Sequence, residues 1–194
     1  IEPSERGVTA ARAIGATVEQ ATIEAADIDP GSLDAVTLWH VLEHLDDPGA
    51  AVARIATWLA PGGALLVGVP NLASLQASVG GERWYHLDVP RHRVHFTAAG
   101  IDALLRAHDL TPVGTYHLLA EHNPFGMWQS LVNRLTAHQS YLYSLLKRNA
   151  PARSPDLAIT ALALPLAPVA AIAELAAGLA RRGGTIAVLA KRTR

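Results

Sequence analysis

Residues 33–48 read LDAVTLWHVLEHLDDP, an apolar run that stops abruptly in a cluster of ionisable side chains. Ala35 to Trp39 is β-branched, aromatic and too short for a helix, which suits a strand covered on both faces in a parallel sheet. His40, Glu43, His44, Asp46 and Asp47 follow at its carboxyl end. In open α/β sheets ligands bind outside that end of the strands, so this edge is the candidate site. Asp47-Pro48 then starts a helix, with Asp as the cap and Pro where its missing N–H costs nothing. Val52, Ile55 and Leu59 line one face of that helix, Pro61-Gly62-Gly63 breaks it, and Ala64 to Val69 makes a second buried strand that ends at Pro70-Asn71. Strand, helix and strand in this span form a right-handed crossover, which predicts a mostly parallel sheet.

Working outward, Ser4 is placed to cap a helix over 5–14 with Val8, Ala11 and Ile14 at helical spacing, and Gly15 to end it. Thr17 to Gln20 reads as a short strand, followed by a loop over 21–24. Residues 72–96 read as mostly irregular and concentrate Trp84, Tyr85, His86, His92 and His95. Loops with such side chains often carry recognition. Thr97 caps a helix bearing Ile101, Leu104, Leu105 and His108, Pro112 to Leu119 reads as a strand, and Gly184 to Ala190 as the last one. Between these two strands, 125–182 is helix-like and longer than an ordinary connection, which marks it as an insertion.

The 194 residues are half hydrophobic, enough for one domain with a full core, and disorder is not expected. A net charge of −1 argues against a basic footprint for nucleic acid. With no cysteine, disulfides and thiolate zinc sites are ruled out. Residue 1 is Ile and the sole methionine is Met127, so sequence is expected upstream; no secretory pattern is visible at the start.

The stretch 33–48 resembles the fourth strand and following loop of class I S-adenosylmethionine-dependent methyltransferases, whose pattern is close to FDvv...vLEHl.dP. Ile1 to Ser4 looks like the end of that family's second strand, and Leu59 to Val67 like the approach to its fifth. Tyr85 to His92, with His95 to Thr97, is similar to the small-molecule branch related to ubiquinone-pathway methyltransferases. The resemblance covers residues 1 to about 120, in order. It implies a Rossmann-like three-layer α/β fold whose first strand and glycine-rich turn lie upstream, and no GxGxG occurs in the chain. It implies S-adenosylmethionine as cofactor, with Glu2 on the ribose diol beside Pro3, Thr22 and Ile23 in the loop against the adenine, and Leu38 and Trp39 at the strand end. A small-molecule acceptor would meet Trp84, Tyr85, His86 and His95. Cytoplasmic residence follows, with association to a membrane as a further expectation.

If helix begins near His40, then His40, Glu43 and His44 stand at i, i+3 and i+4 on one face. Two imidazoles and a carboxylate suit a divalent metal, and the related branch places metal-binding acids and a His at matching positions, although His40 stands where the first acid belongs. Alternatively His44 acts as general acid or base with Glu43 orienting its ring, since an imidazole titrates near neutral pH. A third reading is structural, with His44 on a backbone carbonyl and Glu43 capping a turn.

These readings converge on a methyltransferase-like domain over 1–124 and 183–194 and a hydrophobic helical insertion over 125–182. The rivals are a scaffold of the same fold that binds no cofactor, and another nucleotide-binding α/β protein such as a reductase. Within the insertion, Leu157 to Ala180 carries one charge, Glu174. As one helix it would measure roughly 36 Å. Pro165 and Pro168 predict two helices that form a lid, a homodimer surface, a peripheral membrane contact or a hairpin completing the core; a true crossing is not expected, because both ends return to one sheet.

Overall fold

The computed structural model describes residues 1–119, 123–149 and 154–193; residues 120–122 and 150–153, part of the expected domain and insertion, lie outside them. Helix α1 (Glu5–Ala13) begins where Ser4 accepts the Gly7 N–H and ends before Gly15, whose φ of 82° is the left-handed conformation a helix stop needs. Strand β1 (Leu33–Trp39) is followed by α2 (Pro48–Trp58), whose start is fixed by the Asp47 carboxylate accepting the Ala50 N–H. Strand β2 (Leu59–Pro70) begins earlier than expected. It pairs Leu59 with Leu33, bulges over the Pro-Gly-Gly segment, and resumes with Ala64 opposite Ala35.

Residues 72–96 are less irregular than expected, because Ser74 caps a short helix α3 (Leu75–Gly80). Thr97 caps α4 (Ala98–Arg106), which leads to β3 (Leu110–Tyr116). The insertion supplies α5 (Asn123–Val132), α6 (Tyr141–Leu146), α7 (Ser154–Ala163) and α8 (Ala167–Leu179), and β4 (Thr185–Arg192) closes the chain.

The sheet order is β1-β2-β4-β3. β1 and β2 are parallel, and β4 runs antiparallel to both β2 and β3, so three strands point one way and the last is threaded between two of them in reverse. Thr17 to Gln20 is not a strand. The Glu2 N–H donates to the Glu19 carbonyl at 3.0 Å and Arg12 Nη2–H to the Val18 carbonyl at 3.4 Å, and without a ladder partner among the described residues a β-branched run stays loop. Pro112 lies at a register irregularity of β3, as expected for a residue with no N–H to donate.

Ala51, Val52 and Ile55 of α2 and Ile101 and Leu105 of α4 pack on Leu38, Leu65, Val67, Ile186 and Val188 of the sheet, forming the main core. The insertion has a core of its own around Met127, Trp128, Val132, Ala163 and Ala170. It therefore does not act as a hairpin completing the main one. Trp128 Nε1–H donates to the Ala163 carbonyl at 2.8 Å, and α3 packs against α5 and α8. Pro165 lies in the tight turn that joins α7 to α8, as the sequence led one to expect, although the two helices are not parted by a loop. Residues 155–179 run on through a single tight turn, Leu164–Leu166, and Pro168 falls in the first turn of α8, where it is tolerated.

Candidate functional site

Where β1 ends, the chain turns sharply. His40 has φ of 52°, an unusual backbone for a side chain of its size, held there by its N–H to the Gly68 carbonyl at 2.9 Å. The ensuing helix is only a 3-10 turn, Leu42–His44, so the expected face of His40, Glu43 and His44 does not form. Instead His40 Nδ1 lies 2.9 Å from Glu43 Oε1, as a hydrogen-bonded partner rather than a third metal ligand. Glu43 is 1 % exposed, and its second oxygen, Oε2, is buried with no hydrogen-bond partner among the described residues.

Two other imidazoles are set by backbone carbonyls. His44 Nδ1 is 3.0 Å from the Arg91 carbonyl and His92 Nδ1 is 2.7 Å from the His86 carbonyl. A carbonyl only accepts, so each Nδ1 must carry a proton, and in the neutral ring it is Nε2 that keeps the lone pair. Burial is the main cause that lowers the His92 pKa, which keeps that ring neutral near pH 7. Ligating atoms of Glu43, His44 and His92 lie within 4.8 Å of one another. Of the residues expected from sequence to share a metal, His40 is not in this cluster, and His92, from a distant loop, stands beside Glu43 and His44 instead.

This cluster opens on a cavity of about 610 Å³ lined by His40, His44, Tyr85, His86 and the segment up to His92, and capped by Ser140, Tyr143 and Ser144 of the insertion. Asp88 holds Arg91 at 2.6 Å beside it. The Tyr85 ring stands edge-on to Tyr143 and Phe125, and burial, with Tyr143 nearby, pushes its phenol up to about 12, so it stays a neutral hydroxyl. Of the insertion, residues in and around α6 line this cavity, and none of the long apolar helix does. Of the expected acceptor residues, Tyr85 and His86 reach the cavity. Trp84 is buried behind them, and His95 is turned to the Leu87 carbonyl at 2.9 Å. No pattern in the sequence marked Ser140, Tyr143 and Ser144; His92 was visible only as one of several loop histidines.

The residues expected at the cofactor do not line this cavity. Glu2 Oε1 accepts both the N–H and the hydroxyl of Ser4, and these bonds hold its carboxyl below the usual carboxylate range. Thr22 Oγ1 accepts the Ala25 N–H. Ile23 and Leu38 are core side chains. Trp39 lays its ring over Gly68, where any Cβ would collide with it. Pro3 is exposed beside Ser4.

Residues 1–114 match the methyltransferase domain family. The chain belongs to that family. A curated relative of this methyltransferase domain, the ubiquinone biosynthesis O-methyltransferase of Cupriavidus pinatubonensis, is 44% identical over 57 residues, 28% of this chain. The match spans 23% of that protein's length. Among solved structures, a Thermotoga maritima S-adenosylmethionine-dependent methyltransferase, described as a possible histamine N-methyltransferase, superposes with a TM-score of 0.60 at 17% identity, covering 98% of this chain and 71% of that one. An Archaeoglobus fulgidus S-adenosylmethionine-dependent methyltransferase gives 0.57 at 16% identity over 98% and 73%. The [4+2]-cyclase SpnF gives 0.55 at 19% identity over 95% and 60%. These structural likenesses establish the class I Rossmann-like fold; a cyclase among them shows that the fold alone does not name a reaction.

Proposed function

We propose that the complete protein transfers a methyl group from S-adenosylmethionine to a small-molecule acceptor seated in the cavity beside β1. The observation that supports this most is His44, whose Nδ1 is pinned by the Arg91 carbonyl and whose Nε2 lone pair is left for an acceptor hydroxyl or amine. The family and the names of its S-adenosylmethionine-dependent relatives support the choice of cofactor. Glu2 fits the ribose role: Ser4 occupies Oε1, which leaves Oε2 to accept from a diol. The cofactor, when bound, supplies an electrophilic methyl on a sulfonium. For such a reaction the protein mainly aligns the nucleophile and holds it close. Here His44 takes the acceptor's proton, the Tyr85 hydroxyl donates a hydrogen bond to the acceptor, and α6 excludes water from above. The test is release of S-adenosylhomocysteine by the complete protein against a panel of hydroxylated and amine acceptors. Absence of both cofactor binding and release would leave the scaffold reading.

A second reading is favoured by Glu43 Oε2, a buried carboxylate oxygen without a partner among the described residues; Glu43 shares a 4.8 Å cluster with His44 and His92. Glu43, His44 and His92 would hold a divalent metal, which would supply Lewis-acid polarisation of an acceptor oxygen. Zinc or magnesium titrated calorimetrically into protein stripped with chelator tests it independently of turnover.

A further inference from the structure

The apolar rod 155–179 is built inside out. A surface helix of a globular protein turns its apolar stripe to the core. This one turns its polar groups inward. Asp156 accepts the Ala137 and His138 N–H groups, Thr160 is buried, and Glu174 accepts from Gly184 and Gln76. The rest of the inward face is small: Ala163, Ala170, Ala177 and Gly178. Asp156 and Glu174 are the only charged residues between 155 and 180, so the outward face carries no charge at all. It presents Leu162, Leu166, Val169, Ile172, Leu175 and Leu179 to solvent, Leu162 at 81% and Leu179 at 70% exposure. Contiguous apolar surface of this kind marks an interaction site, whereas scattered exposed residues need no explanation.

Charge beside the rod selects its occupant. Arg181 and Arg182 follow its carboxyl end and are exposed. Lys147 and Arg148 are exposed at the end of α6, which packs against α7. None of the four forms a salt bridge with a carboxylate among the described residues. Protein interfaces concentrate aromatic residues, arginine and hydrogen-bonding groups in the patch itself, and this face has none. An uncharged aliphatic strip with cations at its carboxyl end and on the neighbouring α6 matches acyl chains bordered by anionic headgroups. We propose that this helix lies in the plane of an anionic membrane surface and docks the protein there. It does not cross, because β3 and β4 at the two ends of the insertion are hydrogen-bonded neighbours and Glu174 ties α8 to the domain. Docking does not depend on the methyl-transfer reading. It sets the cavity one helix from the membrane, since α6 both lines the cavity and packs on α7.

The test is flotation of the protein with phosphatidylcholine vesicles, with and without phosphatidylglycerol, alongside light scattering of the protein alone. Flotation is expected with the anionic vesicles, weakened by salt, and reduced more than about tenfold by Leu166→Glu with Ile172→Glu. Leu162→Asn with Leu179→Asn, at the two ends of the same face, gives a second check with a milder change, and circular dichroism verifies folding of both. No flotation of the unmodified protein, flotation unaffected by folded variants, or a dimer in solution that the same substitutions dissolve would each overturn the proposal; the last would make a second copy the occupant.

Discussion

Glu174 joins the apolar rod to the sheet domain, and replacing it tests the inside-out arrangement directly. It is 4% exposed; Oε1 accepts the Gly184 N–H at 2.7 Å and Oε2 accepts Gln76 Nε2–H at 2.9 Å. Gln76 Nε2 has a second acceptor in the Asn123 carbonyl at 2.8 Å, whereas among the described residues the Gly184 N–H has Glu174 alone. Glu174→Ala therefore leaves one backbone donor orphaned in the interior, costing about 1–3 kcal/mol, and the emptied volume adds to this. Relief from burying a carboxylate offsets part of it. The net expectation is a loss of about 2 kcal/mol at pH 5, read from urea melts. Burial is the largest cause acting on this carboxyl and raises its pKa above 4.5. An acid whose folded pKa is raised holds its proton longer when folded. Its contribution is fully present below the ordinary carboxylate value and is lost as pH rises through the raised one. Glu174→Gln keeps an oxygen for Gly184 without the charge, so the variant should lack this part of the pH dependence and gain on the unmodified protein between pH 5 and pH 8. A loss under about 0.5 kcal/mol in Glu174→Ala at both pH values, or an unchanged slope in Glu174→Gln, would refute the inward, desolvated placement of this side chain.

In the complete protein, Glu2→Ala should weaken S-adenosylmethionine binding by about tenfold or more in calorimetry, and an unchanged dissociation constant in a folded variant would remove the ribose role. His44→Ala should lower turnover by about 10²–10⁴-fold with little effect on cofactor affinity, because a general base acts in the transition state. A rise in KM alone would speak against that role. For the metal reading, Glu43→Gln and His92→Ala should each abolish calorimetric zinc binding while His40→Ala retains it; loss in His40→Ala alone would return the site to the triad drawn from the sequence.

What the sequence determined by itself is local. The caps at Ser4, Asp47 and Thr97 act within three residues of the helix they start, so their helices were legible. The LEH turn after an apolar run placed the candidate site at a strand's carboxyl edge, and Tyr85 and His86 do reach the cavity. Tertiary structure decided whatever depended on partners far along the chain. Thr17 to Gln20 has strand composition but no ladder to join, and periodicity cannot supply one. β4 enters between β2 and β3 in reverse, which segment order does not reveal. His92 reaches Glu43 and His44 from a loop far along the chain, and the left-handed turn at His40 removes the helical face that spacing implied. Finally, the hydropathy of 155–179 was plain in the sequence, but which way the helix is rolled was not. Gly184 and Gln76 draw Glu174 inward, and that long-range pairing leaves the leucines outside.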